Sequence, residues 1–192
     1  MTRSTPKPRP RPTAREKLRR EHASHGKLEP ITPKLAKWLG RSRAGGTLLI
    51  PRPMDVDGVM RGVRKGRLLT MSGLRAKLAA DAGADAACPL CTGIFARLAA
   101  EAAEEERTEG KARVTPYWRL VRDDGKLNDK FPGGATAQAR RLRDEGFTVL
   151  PGKGKQPPRV ADKYLPESRA GSRVKKRDSF FQRHHALRPS KD

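Results

Sequence analysis

The chain has 192 residues, of which 35% are hydrophobic and 33% charged, with a formal net charge of +22 and a sequence pI near 11.0. That balance allows one packed domain with appendages and tilts the chain's edges towards disorder. It excludes a membrane span, since no apolar run reaches the roughly 18 residues one needs, and the basic amino terminus has no apolar run behind it to make a secretory signal.

A nucleic acid is the partner the charge predicts, because each Lys or Arg set on a phosphate releases a condensed counterion. The expected location is therefore cytoplasmic and nucleoid-associated. Residues 1–27 hold nine basic residues against Glu16 and Glu21, with prolines at 6, 8, 10 and 12. This reads as a disordered basic arm in which Ala14 to His22 form a short helix on contact with phosphates. A solubilising tail without a partner is the plainer alternative.

Residues 28–50 read as a linker with a short docking helix. Thr32-Pro33 supplies an N-cap and a proline at the first helical position, with Ile31, Leu35 and Trp38 at helical spacing behind it. Gly45-Gly46 breaks that helix, and Thr47 to Ile50 is a short strand or a buried connector. The core domain is expected over 51–150. Met54 to Val63 reads as an amphipathic helix with Val56, Val59, Met60 and Val63 on one face. Arg67 to Thr70 follows as a strand or link, and Ser72 is expected to cap a helix to about Ala82 with Leu74 and Leu78 inward.

Cys88-Pro-Leu-Cys91 lies in the next loop. With no second pair and no nearby histidine it closes no zinc site, so no metal and no cofactor is expected, and the cysteines read as small buried residues rather than a redox pair. Thr92 is expected to cap a third helix to about Arg107, with Ile94, Phe95, Leu98, Ala99 and Ala102 as its apolar stripe. The pair of helices suggests a helix-turn-helix. Glu101, Glu104, Glu105 and Glu106 would repel phosphates, which leaves only the amino-terminal end of that helix to meet a duplex. Arg113 to Val121 reads as extended, Asp123 to Lys126 as a hairpin turn and Gly134 to Gly146 as a fourth helix. The fold class is thus mainly α, a winged helix-turn-helix with a small β-hairpin and disordered basic tails. Residues 151–192, the second tail, carry +8 to the arm's +7, so the two hold 15 of the 22 net charges. Phe180-Phe181 within it either stacks on bases or packs back on the domain.

Four motifs in order then carry a resemblance. They are the Val-x-Lys-Gly-Arg-Leu-Leu-Thr turn (Val63 to Thr70), the Pro-x-x-Arg-x-Val box (Pro116, Arg119, Val121), an aromatic before Gly-Gly (Phe131, Gly133, Gly134) and a final helix ending Glu145-Gly146. Over about residues 51–150 the chain resembles the DNA-binding domain of the O6-alkylguanine-DNA alkyltransferases and their inactive relatives, the alkyltransferase-like proteins. In the active enzymes the box reads Pro-Cys-His-Arg, with a glutamate on the last helix orienting the histidine. Here Tyr117 stands at the cysteine position, Trp118 at the histidine position and Glu145 at the glutamate position. A phenol with an ordinary pKa of about 10, beside an indole that accepts no proton, is no activated nucleophile. The resemblance therefore implies a non-enzyme, with Glu145 reduced to a helix-end residue.

The alkyltransferase-like relatives flip a damaged base into the pocket. By this matching Tyr117, Trp118, Phe131, Gly133 and Gly134 line a pocket, while Ser72, Thr92, Gly93, Arg97 and Arg119 meet double-stranded DNA. Trp118 reads more readily as core than as a ligand contact, and Arg119 equally as an internal hydrogen-bonding group. Two positions depart from the family: Met71 replaces the tyrosine that helps rotate the phosphate, and Thr92 or Gly93 replaces the arginine that fills the vacated stack. The leading expectation is a DNA-binding protein sensing alkylated bases in DNA repair. The alternative is general binding to DNA or RNA without lesion preference. A third class is covalent chemistry at Cys91, since helix amino termini lower thiol pKa values.

Overall fold

The computed structural model describes residues 11–40, 44–154 and 156–165. The amino-terminal prolines at 6, 8 and 10 and the Phe180-Phe181 pair lie outside the described residues. Among those described, the fold is mainly helical, with three small sheets.

Thr13 opens α1 (Ala14–Arg19) with a capping box: its hydroxyl accepts from the Glu16 N–H at 3.1 Å and the Glu16 carboxylate accepts from the Thr13 N–H at 2.9 Å. Six residues do not hold a helix in water alone. α1 is held by burying Ala14 and Leu18 against α5 (Pro89–Thr108), whose Glu105 accepts the N–H groups of Ala14 and Arg15 at 2.6 and 3.0 Å. The expectation of a disordered arm over 1–27 is corrected for this part of it. The acidic run on α5 supplies acceptors that satisfy the start of α1.

The assignment of 28–50 to a linker is also corrected. β1 (Leu28–Pro30) pairs antiparallel with β2 (Thr47–Leu49), which pairs parallel with β4 (Ala86–Ala87). Between them α2 (Pro33–Trp38) begins as expected, Thr32 accepting from the Leu35 N–H at 3.3 Å. Ile31, Ala36, Leu48 and Cys88 form a small core under this sheet, while Trp38 points outward, 55% exposed.

α3 (Pro53–Arg61) buries Val56 and Met60 against α5, whose inward face is Ala96, Ala99, Ala100, Ala102 and Ala103. Small side chains there let α1 and α3 approach closely. The expected stripe is rotated: Thr92, Ala96, Ala99 and Ala103, at helical spacing, face the neighbouring helices and leave Ile94 54% exposed. Thr92 is not the cap. Cys88 holds that position, and the Thr92 hydroxyl donates to the Cys88 carbonyl at 2.8 Å. Proline with its fixed φ suits the first helical position and sets the start. α4 (Met71–Asp81) is capped by Thr70 rather than Ser72, the Thr70 hydroxyl accepting from the Gly73 N–H at 3.1 Å.

β3 (Leu69–Thr70) pairs parallel with β5 (Leu120–Val121), which joins the turn before α4 to the Pro-Tyr-Trp-Arg stretch. The Asp123–Lys126 turn closes as expected, with the Arg122 N–H on the Lys126 carbonyl at 3.0 Å. Its returning arm, however, bridges from Lys126 to Arg159, and β6 (Val149–Leu150) pairs antiparallel with β7 (Arg159–Val160). The ribbon expected as a local hairpin is therefore built with residues beyond 150. Val160 joins Val121, Leu127, Leu142, Phe147 and Val149 in a second core beside α6 (Gly134–Asp144). Apolar burial extends the packed unit past the expected boundary at 150.

Candidate functional site

The Pro-Tyr-Trp-Arg stretch forms a single 3-10 turn, Tyr117–Arg119, running directly into β5. It lies between the two cores, so its side chains diverge. Tyr117 is 1% exposed, edge-to-face with Trp118 and with Phe131, both at 5.5 Å between ring centroids. Its hydroxyl donates to Glu104 of α5 at 2.8 Å. The Arg141 guanidinium of α6 reaches the same carboxylate at 2.6 Å and lies 5.6 Å from the Tyr117 ring centroid and 4.7 Å from that of Trp118.

Burial pushes the Tyr117 phenol well above its ordinary pKa, and the hydrogen bond to Glu104 adds to that. Burial also works against the Glu104 charge. The hydrogen bonds from Arg107 and Tyr117 and the charges of Arg141 and Arg107 outweigh it and hold the carboxyl below the usual range. Near neutral pH the pair is a neutral donor on a charged acceptor.

Glu145 at the end of α6 is more than a helix-end residue, which corrects the expectation. Its Oε1 accepts from the Trp118 Nε1–H at 2.8 Å, and it takes the Arg119 guanidinium through Nε and NH2 at 2.9 and 2.7 Å. Arg119 also donates to the Val63 carbonyl at 2.5 Å. Burial raises the Glu145 carboxyl less than Arg119, Trp118 and Lys65 lower it, so it sits below the usual range. Of the two roles open for Arg119, the internal one is what its side chain is engaged in.

Two buried groups that sequence reasoning missed hold this arrangement. Gln138 of α6, fully buried, donates to the Trp118 and Leu120 carbonyls at 3.0 and 2.8 Å and accepts from the Asn128 N–H at 2.6 Å. Asp57 of α3 accepts from the Thr115 hydroxyl at 2.6 Å. A polar residue on the apolar face of each helix was the available signal: Gln138 beside Ala139, and Asp57 beside Val56. Gly133 and Gly134 sit where α6 begins, with φ of +71° and +67°, and a Cβ on Gly133 would meet the Ala137 Cβ at 2.6 Å. Their place is backbone geometry rather than a lid surface. Phe131, 4% exposed, closes over Tyr117.

The residues expected on DNA do not come together. Ser72 is exposed, and its N–H donates to Asp123 at 2.7 Å. Thr92 is fully buried and has no surface to offer a duplex, which removes it from the expected contacts. Gly93 faces open space, and Arg97 is exposed but paired with Glu101 at 2.7 Å. Met71 packs against the first core. Cys91 is half-buried beside Cys88. Burial and the Cys88 thiol push its own thiol up to about 11, the opposite of the activation expected of a helix start. A groove of about 850 Å³ between α3 and α4 is lined by residues such as Leu49, Met54, Gly58, Leu69 and Leu78, and not by the Tyr117 cluster. No helix among the described residues is long and apolar enough to cross a membrane, and no metal-ligating cluster occurs among them.

No family model matches the chain, and no curated protein matches it. Among solved structures, it is similar to S. pombe Atl1, crystallised in complex with damaged DNA containing O6-carboxymethylguanine. The identity is 14% and the TM-score 0.40, over 60% of this chain and 94% of that one.

Proposed function

We propose that this chain is a non-enzymatic, duplex-DNA-binding protein of the alkyltransferase-like type, acting in the cytoplasm on the nucleoid. One observation carries the reading: the acceptor position holds Tyr117, whose hydroxyl is spent on Glu104, and the base position holds Trp118, whose N–H is spent on Glu145. The glutamate and arginine of the family pattern are present and joined, while the nucleophile position holds a phenol that burial keeps un-ionised and the base position holds an indole that accepts no proton. A net charge of +22 supplies the attraction to phosphates.

Within this reading, sensing of alkylated bases requires Tyr117 and Phe131 to move aside. Their burial favours the second reading, duplex binding without lesion preference. Titrating full-length protein against matched duplexes with and without O6-methylguanine separates them. Tighter binding to the lesion supports sensing, and equal affinity at every salt concentration supports the second. Mass spectrometry after incubation with the lesion duplex tests the shared premise, because an alkylated residue at 117, or on either cysteine, would overturn it.

A further inference from the structure

Most of the cations near the Tyr117 cluster are already committed. Arg61 faces Asp57 and Glu106, Arg75 faces Asp123, Arg107 and Arg141 share Glu104, and Arg119 is closed on Glu145. The turn between α3 and β3 differs. Arg64, Lys65 and Arg67 are all exposed within four residues, and among the described residues neither Arg64 nor Arg67 has an ion-pair partner. The turn is also fixed. Gly66 takes φ of +77°, the Arg67 N–H bonds the Arg64 carbonyl at 3.1 Å, and Arg119 grips the Val63 carbonyl at its start. At its end β3 is paired to β5. Arg119 donates both to the Val63 carbonyl and to Glu145, which places the start of this basic turn beside the carboxylate that holds Trp118.

We propose that the Arg64–Lys65–Gly66–Arg67 turn binds the sugar-phosphate backbone of duplex DNA, and that this turn, rather than Arg97 or Arg119, is the ordered phosphate contact of the domain. The inference rests on the duplex-binding reading above. Because the turn's backbone is already fixed, its three cations meet adjacent phosphates without a further backbone ordering cost and without breaking an ion pair, whereas Arg97 must first leave Glu101 and Arg119 must leave Glu145. A β-carbon on Gly66 would meet nothing within 4 Å, so the turn faces open space into which a backbone can come.

The test is fluorescence anisotropy of the full chain on a labelled undamaged duplex across a salt series. The R64A/R67A double variant is compared with K34A/K37A on α2, which removes the same charge from another face. At roughly 0.9 in slope per phosphate contact, R64A/R67A lowers the slope of log affinity against log salt by about two, K34A/K37A leaves it unchanged, and R64K/R67K restores it. An unchanged slope for R64A/R67A, or an equal fall for both alanine pairs, overturns the turn as the contact while leaving duplex binding intact. Absence of duplex binding by the unaltered protein overturns the functional reading itself.

Discussion

The Tyr117 hydroxyl and the Glu104 carboxylate, 2.8 Å apart, form a donor and acceptor pair where the family pattern puts a nucleophile. Arg107 and Arg141 both converge on Glu104, so the carboxylate stays charged although partly shielded from water. A residue placed at 117 is buried, and burial disfavours a thiolate, while the charges of Arg141 and Arg107 are set against that of Glu104. Tyr117→Cys is accordingly expected to gain no alkyl transfer from an O6-methylguanine duplex, and its thiol to titrate above an ordinary cysteine. Mass spectrometry of the incubated variant and the pH dependence of its alkylation read both. Transfer by this single variant would mean that the site retains a base which the geometry does not reveal.

Glu145 sets the acid stability of the same region. Its folded carboxyl lies below the ordinary value, so between the folded and unfolded values the native state binds fewer protons than the unfolded state. Stability from this group is therefore fully present above the unfolded value of about 4.3 and is lost as the pH falls through the folded value. Glu145→Gln strands the mostly buried Arg119, whose side chain is 13% exposed, and is expected to cost about 3 kcal/mol near neutral pH. Urea unfolding between pH 3 and 7 should show the variant less stable at pH 7 and less pH-dependent below about pH 4.5. A variant with wild-type stability at pH 7 would contradict the pairing.

What was legible in the sequence followed from local rules. Thr32-Pro33 announced α2 because cap and first helical residue are adjacent, and Leu74 and Leu78 declared the inward face of α4 by spacing alone. Local rules also produced the misplacements. Thr70 and Ser72 are both good caps two residues apart, and the tie is broken by β3 ending at Thr70, a pairing with β5 some fifty residues away. Pro89 outranked Thr92 as a helix start, and the face that packs on α1 and α3 is lined by small residues such as Ala96, Ala99 and Ala103, which left Ile94 outside. At the site, the replacement of the nucleophile could be read directly from Tyr117 and Trp118. The partners Glu104, Gln138 and Arg141 come from other elements and could not. Glu104 in particular sat in an acidic run that composition alone marks as a solvated face.

Cys91 gives a check on the covalent alternative. With its thiol pushed up to about 11 by burial and by Cys88, only about one thiol in a thousand is ionised at pH 8. Iodoacetamide labelling mapped by mass spectrometry should therefore be slow at Cys91 and keep accelerating as the pH is raised from 8 to 10. A plateau below pH 8 would indicate an activated thiolate and restore the covalent reading.

Glu105 decides whether α1 stays docked. It accepts two backbone N–H groups at the start of α1, while Arg15 and Glu109 add an exposed ion pair at 2.6 Å. Hydrogen bonds to a charged acceptor each contribute about 2 kcal/mol, whereas exposed ion pairs contribute little. A six-residue helix has no stability of its own to fall back on. Glu105→Ala is thus expected to release α1, so that trypsin cuts at Arg15, Lys17 and Arg19 many times faster while α3 and α5 keep their helicity. Arg15→Ala should leave the Lys17 and Arg19 cleavage rates nearly unchanged. Leu18→Ala, which empties a buried contact against α5, should resemble Glu105→Ala at a cost of about 2 to 3 kcal/mol. Equal cleavage of all three variants and the unaltered chain would show that α1 is held by something other than these contacts.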